Sequence, residues 1–291
     1  MTYAGVELGG TKCVAILAGG PEHVLAREVI PTSSPDETLG EIESTLRGWK
    51  SGHGFDALGI ASFGPLDLDP RSPRYGRTTT TTKPGWSDVD IARRLEGATK
   101  VPTGFDTDVN GAAFAEMRWG AGKGFDDFAY VTVGTGIGVG LIVNGQPTRG
   151  FAHCELGHIR VARFPGDNWP GACPYHGDCV EGLAAGSALN ARFVEGAKDL
   201  PADHSVWNSV AWSLAQLCHA IVCAAAPRRI AMGGGVMQGH PHLLPRINAM
   251  LIESLNAYLP LPTDGCYVRA PELGADAGPL GAIALAMTAN S

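Results

Sequence analysis

The chain has 291 residues, 44% of them hydrophobic, enough apolar material for one large domain or two ordinary ones. Acidic residues outnumber basic ones 29 to 22, and the net charge of −7 argues against a nucleic-acid binder, whose footprint is basic. Glycine, at 40 residues, is roughly twice as common as usual but has no three-residue period, so a collagen-like chain is excluded.

Apolar stretches such as residues 220–226 fall short of the roughly 20 residues that span a bilayer. The opening MTYAGVELGG has no basic region ahead of an apolar one. A cytosolic protein is expected, with neither membrane nor nucleic acid as a partner. Of the seven cysteines, Cys173 and Cys179 stand close together beside histidines, which in a large cytosolic chain points to metal before disulfide.

In chain order, residues 3–8 and 13–17 read as buried strands around the turn Gly9-Gly10-Thr11-Lys12. Residues 37–50 read as an amphipathic helix and 58–62 as a short buried strand. Residues 108–119 form a helix ended by Gly120. Residues 128–133 and 139–143 repeat the opening design around Gly134-Thr135-Gly136-Ile137-Gly138, so the segments GVELGGTKCVAIL and VTVGTGIGVGLIV suggest two related halves. A long apolar helix covers 206–226 and stops at Pro227. A strand at 229–232 runs into Gly233-Gly234-Gly235, and a closing helix spans 277–286. Alternating strands and helices make the fold class α/β. The Pro- and Gly-rich segments 64–86 and 164–182 are loops long enough to be functional.

Three glycine clusters allow close approach of backbone amides to a phosphate. Any one alone would be a tight hairpin. None fits a Walker loop, and GTGIGVG is not the dinucleotide fingerprint. What remains is a nucleotide held between two glycine hairpins, with the third cluster over the purine; together they point to ATP.

The string from His158 to Cys173-Pro-Tyr-His176-Gly-Asp-Cys179 places soft thiolates and imidazoles at short spacing, as tetrahedral zinc requires. The alternative is two free buried cysteines and scattered surface histidines. A Gly/Pro-rich loop has little apolar material to bury a thiol, which favours metal. Cys13, His153, Cys154, Cys218, Cys223 and Cys266 lack partners at ligand spacing and read as core or loop. Asp106-Thr107-Asp108-Val109-Asn110 offers two carboxylates just before a helix, where an Asp is also a common N-cap.

The pairing of ELGGTK with VTVGTGIGVGLIVNG, followed by Gly157-His158 and the Cys/His cluster, resembles the ROK family of sugar kinases and repressors. The strings FGPLDLDPRSPRYG and TKPGW resemble its bacterial zinc-containing fructokinase branch. The resemblance runs from Gly5 to Ala286. It implies the actin-like ATPase (ribonuclease H-like) fold, two lobes around a nucleotide and sugar cleft that closes on the sugar. Residues 1–112 would form the small lobe, with the closing helix 276–291 packing back onto it. Residues 113–275 would form the large lobe with the zinc loop 158–179. ELGGTK begins at residue 7, so a repressor's DNA-binding extension is not expected and a kinase is.

By this resemblance the chain would move the γ-phosphoryl of ATP to the 6-hydroxyl of a hexose, fructose before mannose and glucose. A glucokinase, mannokinase or N-acylhexosamine kinase, or a non-catalytic sugar sensor, are the alternatives. Asp108 falls in the frame of the family's base, and the helix dipole is expected to hold it ionised. Thr107 stands where the family has an Asn that contacts sugar, and Asp106 is assigned to capping or solvent. Sugar contacts fall on Gly64, Thr82, Thr107, Asp108, Glu155, His158 and Glu181. Residues 78–82, five threonines, read as strand by composition but match the family's sugar-side loop. Nucleotide contacts fall on Gly9, Gly10, Thr11, Lys12, Gly134, Thr135, Gly136, Gly233, Gly234, Gly235 and Met237, with Lys12 either neutralising phosphate or simply exposed. Structural zinc would be held by His158, Cys173, His176 and Cys179, and magnesium by Glu7 through water. Relatives imply a homodimer.

Overall fold

The computed structural model describes residues 1–193 and 196–289. Among these residues, ten strands form two five-stranded sheets. The first holds β1 (Tyr3–Leu8), β2 (Lys12–Gly20), β3 (His23–Pro31), β4 (Ala57–Ser62) and β5 (Thr103–Thr107), in the order β3-β2-β1-β4-β5. The second holds β6 (Phe128–Val133), β7 (Ile137–Val143), β8 (Gln146–Pro147), β9 (Ile230–Gly233) and β10 (Val268–Arg269), in the order β10-β9-β6-β7-β8. Reversed, the second order is the first shifted by five. In each sheet the opening strand pairs antiparallel with its hairpin partner and parallel with a later strand: β1 with β2 and β4, β6 with β7 and β9. The two halves suggested by the repeated hairpins thus share one topology.

The helices are α1 (Pro35–Gly52), α2 (Ala92–Thr99), α3 (Asp108–Trp119), α4 (Val180–Ala184), α5 (Gly186–Arg192), α6 (Val206–Ala225), α7 (Gly235–Gly239), α8 (Leu243–Leu255) and α9 (Ala277–Ala289). Their ends follow ordinary capping chemistry. Ser34 caps α1, accepting from the Glu37 amide and donating to the Glu37 carboxylate, with Pro35 in the first turn. Leu39, Ile42 and Leu46 then bury one face of α1. Helix α6 ends at Ala225, because Ala226 turns left-handed (φ 42°) ahead of Pro227. Among the described residues α6 is the one helix long and apolar enough to cross a membrane by length and composition, and half of it is buried in protein.

The chain divides into two contact units. The first takes Met1–Lys123, Pro147–His153 and the C-terminal stretch from Ala275; the second takes Gly124–Gln146 and Cys154–Gly274. A boundary at 112 would cut α3. That helix stays whole in the first unit because it packs along α9, which also covers β1 and β4. The approach is backbone to backbone. A Cβ on Gly59 would lie 1.8 Å from the Ala282 carbonyl, and one on Gly281 would lie 2.4 Å from the backbone of Gly111. Part of the glycine excess is therefore spent on seating α9 against α3 and β4. In the second unit α6 packs on α8 and α4, around a core that includes Trp207, Leu214 and Ile221.

Candidate active site

Strand β5 runs straight into α3, and the junction carries the acidic pair. Thr107 is the N-cap: its hydroxyl accepts from the Asn110 amide at 3.1 Å. Asp108 is the first helical residue, and one of its carboxylate oxygens accepts from the Val109 amide at 2.9 Å. Burial pushes the Asp108 carboxyl up to about 6, outweighing the backbone amides at the start of the helix that favour its ionised form. It remains mostly ionised at pH 7.

Asp106 is neither a cap nor a solvent residue. It is 2% exposed near the end of β5, opposite Ala61 of the paired strand β4. One oxygen accepts from the Thr107 amide (2.7 Å) and from Asn110 Nδ2 (2.8 Å); the other takes the guanidinium of Arg149. A backbone amide and side-chain donors decide its fate here, and the remote one, Arg149, is not visible in the local sequence pattern.

Glu7 lies on β1, directly before the first glycine turn. Its carboxylate abuts Gly278 in the first turn of α9, where a Cβ would come within 2.0 Å of it. Burial, and then the charge of Asp108, raise the Glu7 carboxyl to about 7, while Lys12 pulls the other way. The two acids therefore sense each other within the first unit. The turn that follows Glu7 and Leu8 has all its carbonyls engaged. Gly9 O accepts from Thr32 Oγ1 (2.7 Å), Gly10 O from Lys83 Nζ (2.6 Å), Thr11 O from the Thr32 amide (3.0 Å) and Lys12 O from the Gly9 amide (3.1 Å). Lys12 and Thr11 are exposed at the turn.

The second glycine turn follows the same rule. Gly134 O and Thr135 O accept from the amides of Gly186 and Ser187 at the start of α5, at 2.7 and 3.2 Å, and Gly136 O accepts from the Gly134 amide at 2.9 Å. With the carbonyls turned into protein, each turn is left poor in the acceptors that would repel a phosphate.

Four ligand-type side chains gather beside the second turn. The donor atoms of His158, Cys173, His176 and Cys179 all lie within 4.8 Å of one another. His158 Nδ1 is 3.7 and 3.6 Å from the Cys173 and Cys179 sulfurs, and His176 Nδ1 is 3.6 Å from Cys173. A tetrahedral zinc ion with ordinary Zn–S and Zn–N bonds gives nitrogen–sulfur edges of about 3.6 Å, so the four residues fit such an ion. Both thiols are buried despite the polar loop around them. His158 Nε2 points the other way, 3.9 Å from Glu181 Oε1. The second Glu181 oxygen accepts from the Ile137 amide at 3.0 Å. Gly157 in turn abuts the Ile137 carbonyl, 1.9 Å from where a Cβ would stand. The cysteine–histidine loop and the second glycine turn are one packed structure.

Of the remaining predicted positions, residues 78–82 are a loop with an isolated bridge rather than a strand. Thr78 is buried, donating to the Trp86 carbonyl and accepting from the Val89 amide, whereas Thr82 is exposed. Gly64 packs against the His153 ring, and Glu155 is exposed ahead of the turn Leu156–His158. Gly234 takes φ 92° between β9 and α7, a position where a side chain would also strike the Val133 backbone. Gly235 faces open space. Met237, expected to face the adenosine, is buried in the second unit's core.

A family model described as the ROK family matches residues 3–289. The chain belongs to the ROK family. It is 39% identical over 289 residues to the fructokinase of Pediococcus pentosaceus, covering 99% of each chain. It is 40% identical over 294 residues to the fructokinase of Zymomonas mobilis, covering 99% of this chain and 97% of that one. Among solved structures, the ROK hexokinase from Thermus thermophilus aligns with a TM-score of 0.80 at 29% identity, covering 99% of this chain and 98% of the other. The α/β architecture is that of the ROK kinases, the actin-like ATPase fold.

In this ROK chain the structure brings Glu7, the 9–12 turn, Thr107 and Asp108 into the first unit. It brings the 134–136 turn, Glu155, Glu181, the cysteine–histidine group and Gly233–Gly235 into the second. Sequence reasoning gave no role to Lys83, Asn110 and Arg149, assigned Asp106 to capping or solvent, and read His153 as core or loop. For Asn110 a local signal existed, since an amide at the third helical position can reach back past the cap. Arg149 and His153 had none: their partners lie 43 and 87 residues away.

Proposed function

We propose that this chain transfers the γ-phosphoryl group of ATP to the 6-hydroxyl of a hexose, with D-fructose as the preferred acceptor. The observation that carries the reading is the first unit's grouping of Asp108, Glu7 and the first glycine turn, with each carboxyl raised by its surroundings. The near full-length likeness to two fructokinases supports fructose.

Asp108 acts as the base. Its carboxylate accepts the proton of the sugar hydroxyl as that oxygen attacks the γ-phosphorus. The bond from the γ-phosphorus to the bridging oxygen breaks, and ADP leaves with the electron pair. A pKa near 6 suits this task, because the group is ionised at neutral pH yet basic enough to take a proton. Amides of the 9–12 and 134–136 turns other than those of Gly9 and Gly134, with Thr11, Thr135 and Lys12, hold phosphate oxygens. Gly233, Gly234 and Gly235 admit the adenosine. Glu7 would hold magnesium through water, and that ion would offset the charge of the phosphates.

His158, Cys173, His176 and Cys179 would hold zinc. Four protein ligands leave no open position, so the metal would be structural, fixing the loop. Sugar contacts are proposed for Gly64, Thr82, Thr107, Glu155, His158 and Glu181. Thr107 keeps its hydroxyl proton free to donate while its oxygen caps α3. Glu181 can offer the sugar only the oxygen that is not on Ile137.

A coupled assay of ADP release across fructose, mannose, glucose and their N-acetyl amines tests the reading, with phosphorus NMR locating the product phosphate. The highest kcat/KM is expected for fructose. A preference for glucose or an N-acetyl sugar would overturn fructose and leave the kinase; no sugar-dependent release would overturn the kinase.

A further inference from the structure

Residues 147–153 leave the second sheet at β8 and join the first unit. The segment grips that unit at three points. Arg149 Nη2 pairs with the buried Asp106 carboxylate, and Arg149 Nη1 reaches the Leu68 carbonyl at 3.5 Å. His153 Nε2 accepts from the Leu66 amide at 3.0 Å, and its ring packs against Gly64. A bridge between Arg149 and His153 holds the segment's own ends together.

Asp106 transmits this grip to α3. Its first oxygen takes the amide of the N-cap, Thr107, and the side chain of Asn110 in the third helical position. Those two residues bracket Asp108 along the chain. Asn110 is 2% exposed and its amide is bound to the Thr107 hydroxyl, so the first turn of α3 is tied twice. On the outer side about a third of the Arg149 side chain stays exposed, while Asp106 is closed off. Removing Arg149 would leave a buried carboxylate with donors on one oxygen only, and it would recruit others by shifting the turn.

We propose that Arg149 is a positioning residue: through Asp106 it fixes the carboxylate of Asp108, and through Leu68, with His153 on Leu66, it fixes loop 64–68 in the same frame. The proposal rests on Asp108 being the base. It makes segment 147–153, not the glycine turns, the element that sets base against loop. Small errors here matter, since a displacement of roughly 1 Å at a reacting group can cost about 10²-fold in rate.

The test uses the full chain with Arg149→Gln, Arg149→Lys, Asp106→Asn and the double variant Asp106→Asn/Arg149→Gln. Two readouts are taken: steady-state kinetics with fructose and ATP, and amide hydrogen exchange. Arg149→Gln is expected to lower kcat about 10²-fold and to leave KM for ATP within roughly twofold. It should speed exchange at residues 66–68 and 107–111 without changing β6 and β9. Arg149→Lys should recover most of kcat, and the double variant should be no slower than Asp106→Asn. Unchanged exchange at 107–111 in Arg149→Gln, or a kcat within roughly twofold of the parent, overturns the proposal. Should Arg149→Gln fail to fold, equal kcat in the parent, Arg149→Lys and Asp106→Asn overturns it. Should the parent release no ADP with fructose, the base assignment has failed, and exchange at 107–111 alone decides whether Arg149 holds the turn.

Discussion

The two sheets are built to one plan and filled differently. Each opens with a hairpin whose glycine turn has its carbonyls bound by protein donors. In the first, those donors come from Thr32, Lys83 and the Gly9 amide, and the same unit holds two raised carboxyls, Glu7 and Asp108. In the second they come from the start of α5, and the neighbour is a cysteine–histidine loop that holds Ile137 through Glu181. One copy of the plan carries titrating groups; the other carries a cysteine–histidine group that could hold a metal ion. Duplicated topology thus fixes where a glycine turn falls, while the residues packed around each hairpin differ between the units.

The sharpest way to break this comparison is Asp108→Asn. If acid–base work belongs to the first unit, kcat should fall about 10²–10⁴-fold, with binding of ATP and sugar retained by calorimetry. The variant should melt no lower than the parent at pH 8, because it removes a carboxylate that burial opposes. Near-normal turnover would remove Asp108 from the chemistry.

The next effect tests the bracing. Elemental analysis should find one zinc per chain, and chelation or Cys179→Ser should reduce activity in step with zinc content. Hydrogen exchange should then rise around residues 134–138 and 156–182 and stay unchanged in β1 and β4. Full activity in verified zinc-free protein would show that the second turn needs no cross-link.

The comparison also separates what the sequence made legible. The hairpins were readable because apolar strands flank glycine runs, and α3 because a polar cap, a periodic face and Gly120 mark its ends. The cysteine–histidine group was readable because three of its four residues fall within seven positions of one another. Strand β3 was not, since its residues are largely exposed on both faces and leave no alternation. Helix α8 was not read either, although Leu243, Ile247, Leu251 and Leu255 keep a four-residue spacing. The Asp106–Arg149 pair was invisible for another reason: long-range pairing has no period. The direction of the Asp108 shift depends on burial, which a cap motif does not report.

A smaller effect follows from the paired acids. Rate should fall as pH drops through about 6, where Asp108 takes up a proton. Stability should move oppositely. Glu7 rises from 4.5 to about 7 on folding, so its neutral form is favoured in the fold. That contribution is complete below the unfolded value and is lost as pH climbs through 7. Glu7→Gln should therefore raise Tm at pH 8 and leave it unchanged near pH 4. Equal shifts at both pH values would mean that packing against Gly278, not charge, sets the effect.

The smallest effects distinguish the two turns themselves. A Cβ on Gly9 would sit 2.6 Å from the Lys12 carbonyl, the same oxygen that accepts from the Gly9 amide. That oxygen is backbone at the base of β2 and cannot swing aside. Gly9→Ala should open the turn and lower stability by about 1–3 kcal/mol. Gly134, at the matching corner of the second hairpin, has nothing within 4 Å of the place a Cβ would take. Gly134→Ala should therefore stay within about 0.5 kcal/mol of the parent in urea unfolding. Its partner oxygens would keep their donors, since Gly186 and Ser187 approach the carbonyl side. A methyl there would still face whatever the turn binds. Unchanged stability with a raised KM for ATP would place the nucleotide against the second turn; unchanged stability with unchanged KM would confine phosphate binding to the first.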